Sequence, residues 1–137
     1  MIDKVCEYSL RINGRNRTIR FLIGDICSSS ECFDILVCSA YKGNYAPTPS
    51  SLIGALLYQC QINVDNLALE PEIDLKSIGC WLSKTTGNQH FQRIACVEML
   101  EPYDLHRSNA HSREENVLDS ISSMRFLLER TSMRGIS

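Results

Sequence analysis

Residues 33–40 read Phe33-Asp34-Ile35-Leu36-Val37-Cys38-Ser39-Ala40. The run is apolar without strict alternation, the pattern of a strand buried on both faces. Such a strand implies a parallel sheet with helices packed on each side. Downstream, residues 41–51 carry Gly43, Pro47 and Pro49 and read as a loop. Ser50 or Ser51 then caps a helix through Leu52, Ile53, Ala55, Leu56 and Leu57. In the next stretch Ile62-Asn63-Val64 reads as a short strand, residues 74–82 as a short helix or an insertion, and residues 85–89 as a turn. Residues 93–100 form the second clear strand, with Ile94, Ala95, Cys96, Val97 and Met99.

A polar loop follows at residues 101–111. Ser112-x-x-Glu115 is a capping box, in which the serine oxygen accepts from a free amide and the glutamate reaches back. Val117, Leu118, Ile121, Met124, Leu127 and Leu128 then mark one apolar helical face, closed by Glu129, Arg130 and Gly135.

Upstream, Val5, Tyr8, Leu10 and Ile12 face residues 18–23 across Asn13-Gly14, a turn signal because both residues tolerate positive φ. Polar Arg15 and Asn16 suggest a loop longer than two residues. Arg11, Arg15, Arg17 and Arg20 cluster here, as a solvated hairpin face or a phosphate contact. The expected fold is α/β: a mixed, largely parallel sheet with flanking helices and an N-terminal β-hairpin, one domain over residues 1–137. A helix as apolar as the last usually feeds another strand, which Ile136 could begin. Completion by a C-terminal segment or by another chain is therefore expected.

The 137 residues suit a single core. Hydrophobic residues make up 44% and charged residues 22%, which argues against disorder. A net charge of −2 gives no general attraction to nucleic acid or anionic lipid. There are seven cysteines, an odd number, with no C-x-x-C pair and no histidine at zinc-finger spacing, so no metal site is read. Cys38 and Cys96 interrupt apolar runs and read as small core residues. The odd count, together with an N-terminus that does not read as a signal peptide, favours a reducing, cytoplasmic setting. No apolar run reaches the 18 residues of a membrane span.

In open α/β sheets ligands bind outside the carboxyl ends of the strands. Three segments emerge there: residues 24–27, 39–51 and 100–106. Asp25 follows the turn at Gly24, as a ligand acceptor or a simple loop cap. In the long loop Lys42 offers a positive charge, Gly43 and Asn44 expose amides, and Tyr41 or Tyr45 can stack on a base. Ser50-Ser51 sits at a helix start, where an anion is favoured. The alternative is a proline-stiffened loop with an ordinary cap. His106 and His111 have no visible partner for base chemistry, and Trp81 reads as core.

Gly24-Asp25-Ile26, a short spacer, then Asp34-Ile35-Leu36-Val37-Cys38-Ser39-Ala40 resembles the opening of a macrodomain, the ADP-ribose-binding fold. The likeness covers residues 18–40, and the strand at 93–100 and the last helix follow the same order. It implies that Asp25 reads the adenine amine with help from the Ile26 amide. Together with the strand-end and loop residues read above, the expected binding set is Gly24, Asp25, Ile26, Ser39, Ala40, Tyr41, Lys42, Gly43, Asn44, Ser50 and Ser51. The family's Asn-Ala-Ala-Asn is replaced by Cys38-Ser39-Ala40-Tyr41, and its glycine-rich phosphate loop by residues 42–51. The functions that follow are a module binding an ADP-ribose-type nucleotide with no other cofactor, a hydrolase of ADP-ribosyl bonds with Asn44 nearest the scissile bond, or an assembly domain with a degenerate pocket. Binding and turnover both stay open.

Overall fold

The computed structural model of the chain describes residues 2–99 and 113–134. Residues 100–111 with His106 and His111, the capping-box contact of Ser112 with Glu115, and Gly135 and Ile136 lie outside the described residues.

Asn13 and Gly14 set the first element. Both take positive φ, 50° and 74°, as a two-residue turn requires if its twist is to match the flanking strands. They join β1 (Ile2–Ile12) to β2 (Arg15–Gly24) in antiparallel pairing. The turn is thus shorter than expected, because Arg15 and Asn16 pair with Ile12 and Arg11 instead of extending the loop. A bulge lies between Lys4 and Cys6. Asp25 then caps a single 3-10 turn, Ile26–Ser28. These residues belong to one compact unit, Met1–Glu31.

The second unit, Cys32–Ser137, contains β3 (Phe33–Tyr41), α1 (Leu52–Cys60), α2 (Val64–Leu67), β4 (Ile73–Leu75), β5 (Cys80–Leu82), β6 (Phe91–Met99) and α3 (Arg113–Met133). Its sheet runs β3-β6-β5-β4. Only β3 and β6 pair in parallel among the described residues; β5 is antiparallel to both β6 and β4. The chain is α/β with a mixed sheet, but the sheet is mostly antiparallel and not largely parallel as expected. Connection length explains the difference. A parallel neighbour needs a crossover of about a dozen residues or more. The segment between β3 and β6 supplies one. The turn after β4 and residues 83–90 after β5 do not.

Residues 62–64 are not a strand. Asn63 Oδ1 accepts from the Asn66 N–H at 3.1 Å and opens α2, while Ile62 and Val64 are buried. Residues 74–82 are strand, a 3-10 turn at Lys76–Ile78, and strand again, rather than a helix.

Strand β3 is also not buried on both faces. It is an outer strand of its sheet: Leu36 and Cys38 are buried, whereas Asp34, Val37 and Ser39 are exposed. The doubly covered strand is β6, where Ile94, Ala95, Cys96, Val97 and Glu98 are all buried. An apolar run reports composition, and position in the sheet decides whether both faces find cover.

Helix α3 packs on β4, β5 and β6. It docks through Ser123, Leu127 and Thr131. Leu127 completes a core of Ile73, Cys80, Leu82 and Ala95, with Ile35 and Leu75 beside it. Val117, Leu118, Ile121 and Leu128 stay exposed, so most of the expected apolar face is not the docking face. Two hydrogen bonds fix the rotation instead. Ser123 Oγ donates to the Ile78 carbonyl, and Cys80 Sγ donates to the Ser123 carbonyl at 3.3 Å. On the other face of the sheet, Trp81 and Cys96 are register partners, as are Leu36 with Ile94 and Cys38 with Cys96. No described helix is long and apolar enough to cross a membrane.

Two substitutions test this packing by urea unfolding. Leu127→Ala is expected to cost about 2–5 kcal/mol, against less than about 0.5 kcal/mol for Ile121→Ala on the exposed arc. Equal costs would place the docking face elsewhere. Gly54→Ala in α1 sets two effects against each other. Helix propensity favours alanine by about 1 kcal/mol, but the new Cβ would meet the Thr48 carbonyl oxygen at 1.9 Å. The clash should win, leaving the variant about 1–3 kcal/mol less stable.

Candidate functional site

The residues singled out by sequence divide between the two units. Gly24, Asp25 and Ile26 belong to the first. Asp25 Oδ1 accepts from the Cys27 N–H at 2.9 Å, and the Asp25 carbonyl accepts from the Ser28 N–H and hydroxyl. Its carboxylate therefore serves as a cap.

Ser39, Ala40, Tyr41, Lys42, Gly43, Asn44, Ser50 and Ser51 belong to the second unit. Ser39 and Ala40 lie near the carboxyl end of β3, where Ala40 pairs with Glu98 and Tyr41 with Met99. The Lys42 N–H donates to the Met99 carbonyl at 2.9 Å, so the chain leaves β3 still tied to β6. Asn44 closes a turn through its N–H to the Tyr41 carbonyl, and its Oδ1 accepts from the Ala46 N–H at 3.1 Å. Ser50 is exposed in the turn before α1. Ser51 is the N-cap of α1: its hydroxyl accepts from the Gly54 N–H at 3.0 Å and donates to the Thr48 carbonyl at 2.8 Å.

A cavity of about 350 Å³ opens at the carboxyl ends of β3 and β6. Lys42 and Glu98 line it from the strand ends, Ser77 from the turn before β5, and Asp119, Ser120 and Ser123 from α3. Its size is at the lower end for small-ligand sites. Of the binding residues expected from sequence, Lys42 alone lines it. Its ammonium makes no ion pair among the described residues. The cavity's lining residues include one lysine, two acidic residues and several serines, with the Glu98 carboxylate itself engaged by the Tyr45 hydroxyl. They suit a ligand with an anionic group at one point and hydroxyl or amine donors at others.

Glu98 is the feature sequence reading missed. It is buried at the end of β6, where Tyr45 donates its hydroxyl to Glu98 Oε1. The Tyr45 ring meets Trp81 edge-on, with centroids 5.7 Å apart. Burial pushes the Tyr45 phenol well above its ordinary range, and the Glu98 hydrogen bond and charge push the same way. Burial, with the Glu98 charge second, also raises the Cys80 thiol to about 11. Cys38 and Cys96 share a hydrogen bond that lowers Cys38 and raises Cys96. None of the seven cysteines forms a disulfide. Among the described residues no group of three His, Cys, Asp or Glu could hold a metal ion. The visible signal for Glu98 was a lone carboxylate in the apolar run at residues 94–99.

Comparisons with protein-family models, with curated proteins and with solved structures find no match for this chain.

The raised Cys80 thiol makes stability depend on pH. Folding favours the protonated form, so the contribution is complete below the ordinary value of 9.0 and is lost as pH rises towards about 11. Urea midpoints should fall across that interval in the native chain and fall less steeply in Cys80→Ala. An unchanged slope in the variant would remove Cys80 as a source.

Proposed function

We propose that this chain is a ligand-binding module of macrodomain type that holds an ADP-ribose-type nucleotide at the carboxyl ends of β3 and β6. The observation that carries this reading is the cavity bounded by Lys42, Glu98 and the serines of the β5 turn and α3. It lies where open α/β sheets hold ligands. Lys42 supplies the charge for a phosphate, and Glu98 and Asp119 accept from ribose hydroxyls or an exocyclic amine. The resemblance across residues 18–40 adds the nucleotide class. Binding without turnover is the form proposed, because the Asn44 carboxamide oxygen is already engaged in its own loop.

Calorimetric titration of the full chain with ADP-ribose tests it. Native protein should release heat at one site. Lys42→Ala should weaken binding roughly 10-fold or more, the effect of losing a charged hydrogen-bond donor. Asp25→Ala, measured alongside, tests the role the resemblance assigns to Asp25. No heat from folded protein would sink the nucleotide reading. Full affinity in Lys42→Ala would move the ligand away from this cavity.

A further inference from the structure

The pairing of β1 with β2 sorts the hairpin into two unlike faces. Tyr8 pairs with Ile19, Cys6 with Phe21, Leu10 with Arg17, Ile12 with Arg15 and Asp3 with Ile23. Side chains alternate across a strand, so these residues share one face. The other carries Lys4, Glu7, Ser9, Arg11, Asn16, Thr18 and Arg20, with Ile2 and exposed Leu22 as its apolar residues at the open end. On that polar face Lys4 pairs with Glu7 at 3.6 Å and Arg20 with Glu31 at 3.7 Å. Residues 28–31 line a cleft together with Ile2, Lys4, Arg20 and Leu22.

Within the first unit nothing comparable covers the apolar face. Val5 at the bulge and Tyr8, Leu10, Ile12, Ile19, Phe21 and Ile23 are between 42% and 69% exposed. Together they present on the order of 700 Å² of apolar surface, above the roughly 300–600 Å² of the largest patch on a typical monomer. A lone two-stranded ribbon is marginal in water and needs a further layer against its apolar face.

We infer that this face is a homodimer interface, in which the ribbons of two copies stack face to face about a two-fold axis. Three features favour a second copy as the occupant. The area is close to the roughly 800 Å² that each partner contributes to a standard interface. Two twisted ribbons about 10 Å apart make a small β-sandwich with both apolar faces inside. The ends of the face are also oppositely charged, with Asp3 at the open end and Arg15 and Arg17 at the turn. None of the three is ion-paired among the described residues. A two-fold axis across the ribbon near the Tyr8–Ile19 pair lays the turn of one copy over the open end of the other. Each Asp3 then meets the partner's arginine pair, twice per dimer. An isologous contact of this kind closes at two copies.

Sedimentation equilibrium of the full chain across the micromolar range tests the inference independently of any nucleotide. A reversible dimer is expected. Ile19→Lys should weaken it at least 100-fold, while Arg11→Glu on the opposite face leaves it unchanged. Far-UV circular dichroism checks that the variants fold. If Ile19→Lys unfolds, the charges carry the test. Asp3→Arg should weaken the dimer, and adding Arg15→Asp and Arg17→Asp to that chain should restore it. A monomer at every concentration, a larger assembly, or a dimer indifferent to both Ile19→Lys and Asp3→Arg would overturn the inference. The last would mean that the copies meet through strand edges or another surface.

Discussion

Strand β6 takes neighbours on both edges, parallel β3 on one and antiparallel β5 on the other. Its residues from Ile94 to Glu98 are buried. The residues around the cavity are placed by this arrangement. Parallel pairing with β3 brings two carboxyl ends together and leaves Lys42 beside Met99. Antiparallel pairing with β5 carries Gly79 to the same end, where its carbonyl accepts from the Glu98 N–H at 2.7 Å. The hydrogen bonds between α3 and residues 78–80 then set the cavity's last wall. The mixed sheet is thus what lets one small domain converge a loop, a turn and a helix on a single opening.

A carboxylate at the end of a buried strand is costly unless it is hydrogen-bonded. Glu98 has the Tyr45 hydroxyl, and Tyr45 is held edge-on against Trp81. The charge is felt by its neighbours, since it favours the protonated forms of both Tyr45 and Cys80. This separates Glu98 from the surface acids Glu70 and Glu129, whose long side chains pair loosely with Lys84 and Arg125.

The hairpin was legible because its signals are local: Asn13-Gly14 and alternating side chains specify a turn and a register with no help from elsewhere. The cap at Ser51 and the helix after it were legible for the same reason. Sheet order was not. Residues 73–82 are short strands flanking a single turn, too brief for periodicity, and their identity comes from pairing with β6. Helix α3 misled in another way. Its apolar residues span a wide arc, and hydrogen bonds from Ser123 selected a part of that arc containing Leu127 but not Ile121 or Leu128. Of the candidate site, Lys42 was legible from its place after a strand. Ser77 and Ser123 were not, because nothing in a serine marks which cavity it will face. Glu98 was visible as an anomaly that went unread.

Residues 41–54 form a continuous set of short-range ties. The Asn44 turn, the Ala46 and Thr48 contacts, the Ser51 cap and the missing Cβ at Gly54 follow one another without a gap. Tyr45 anchors their middle to the sheet through Trp81 and Glu98. The segment has no regular structure before α1, yet its conformational entropy is already surrendered when the protein folds. Lys42, the residue of this segment that lines the cavity, is thereby carried on backbone already tied to β6 on one side and to the Asn44 turn on the other.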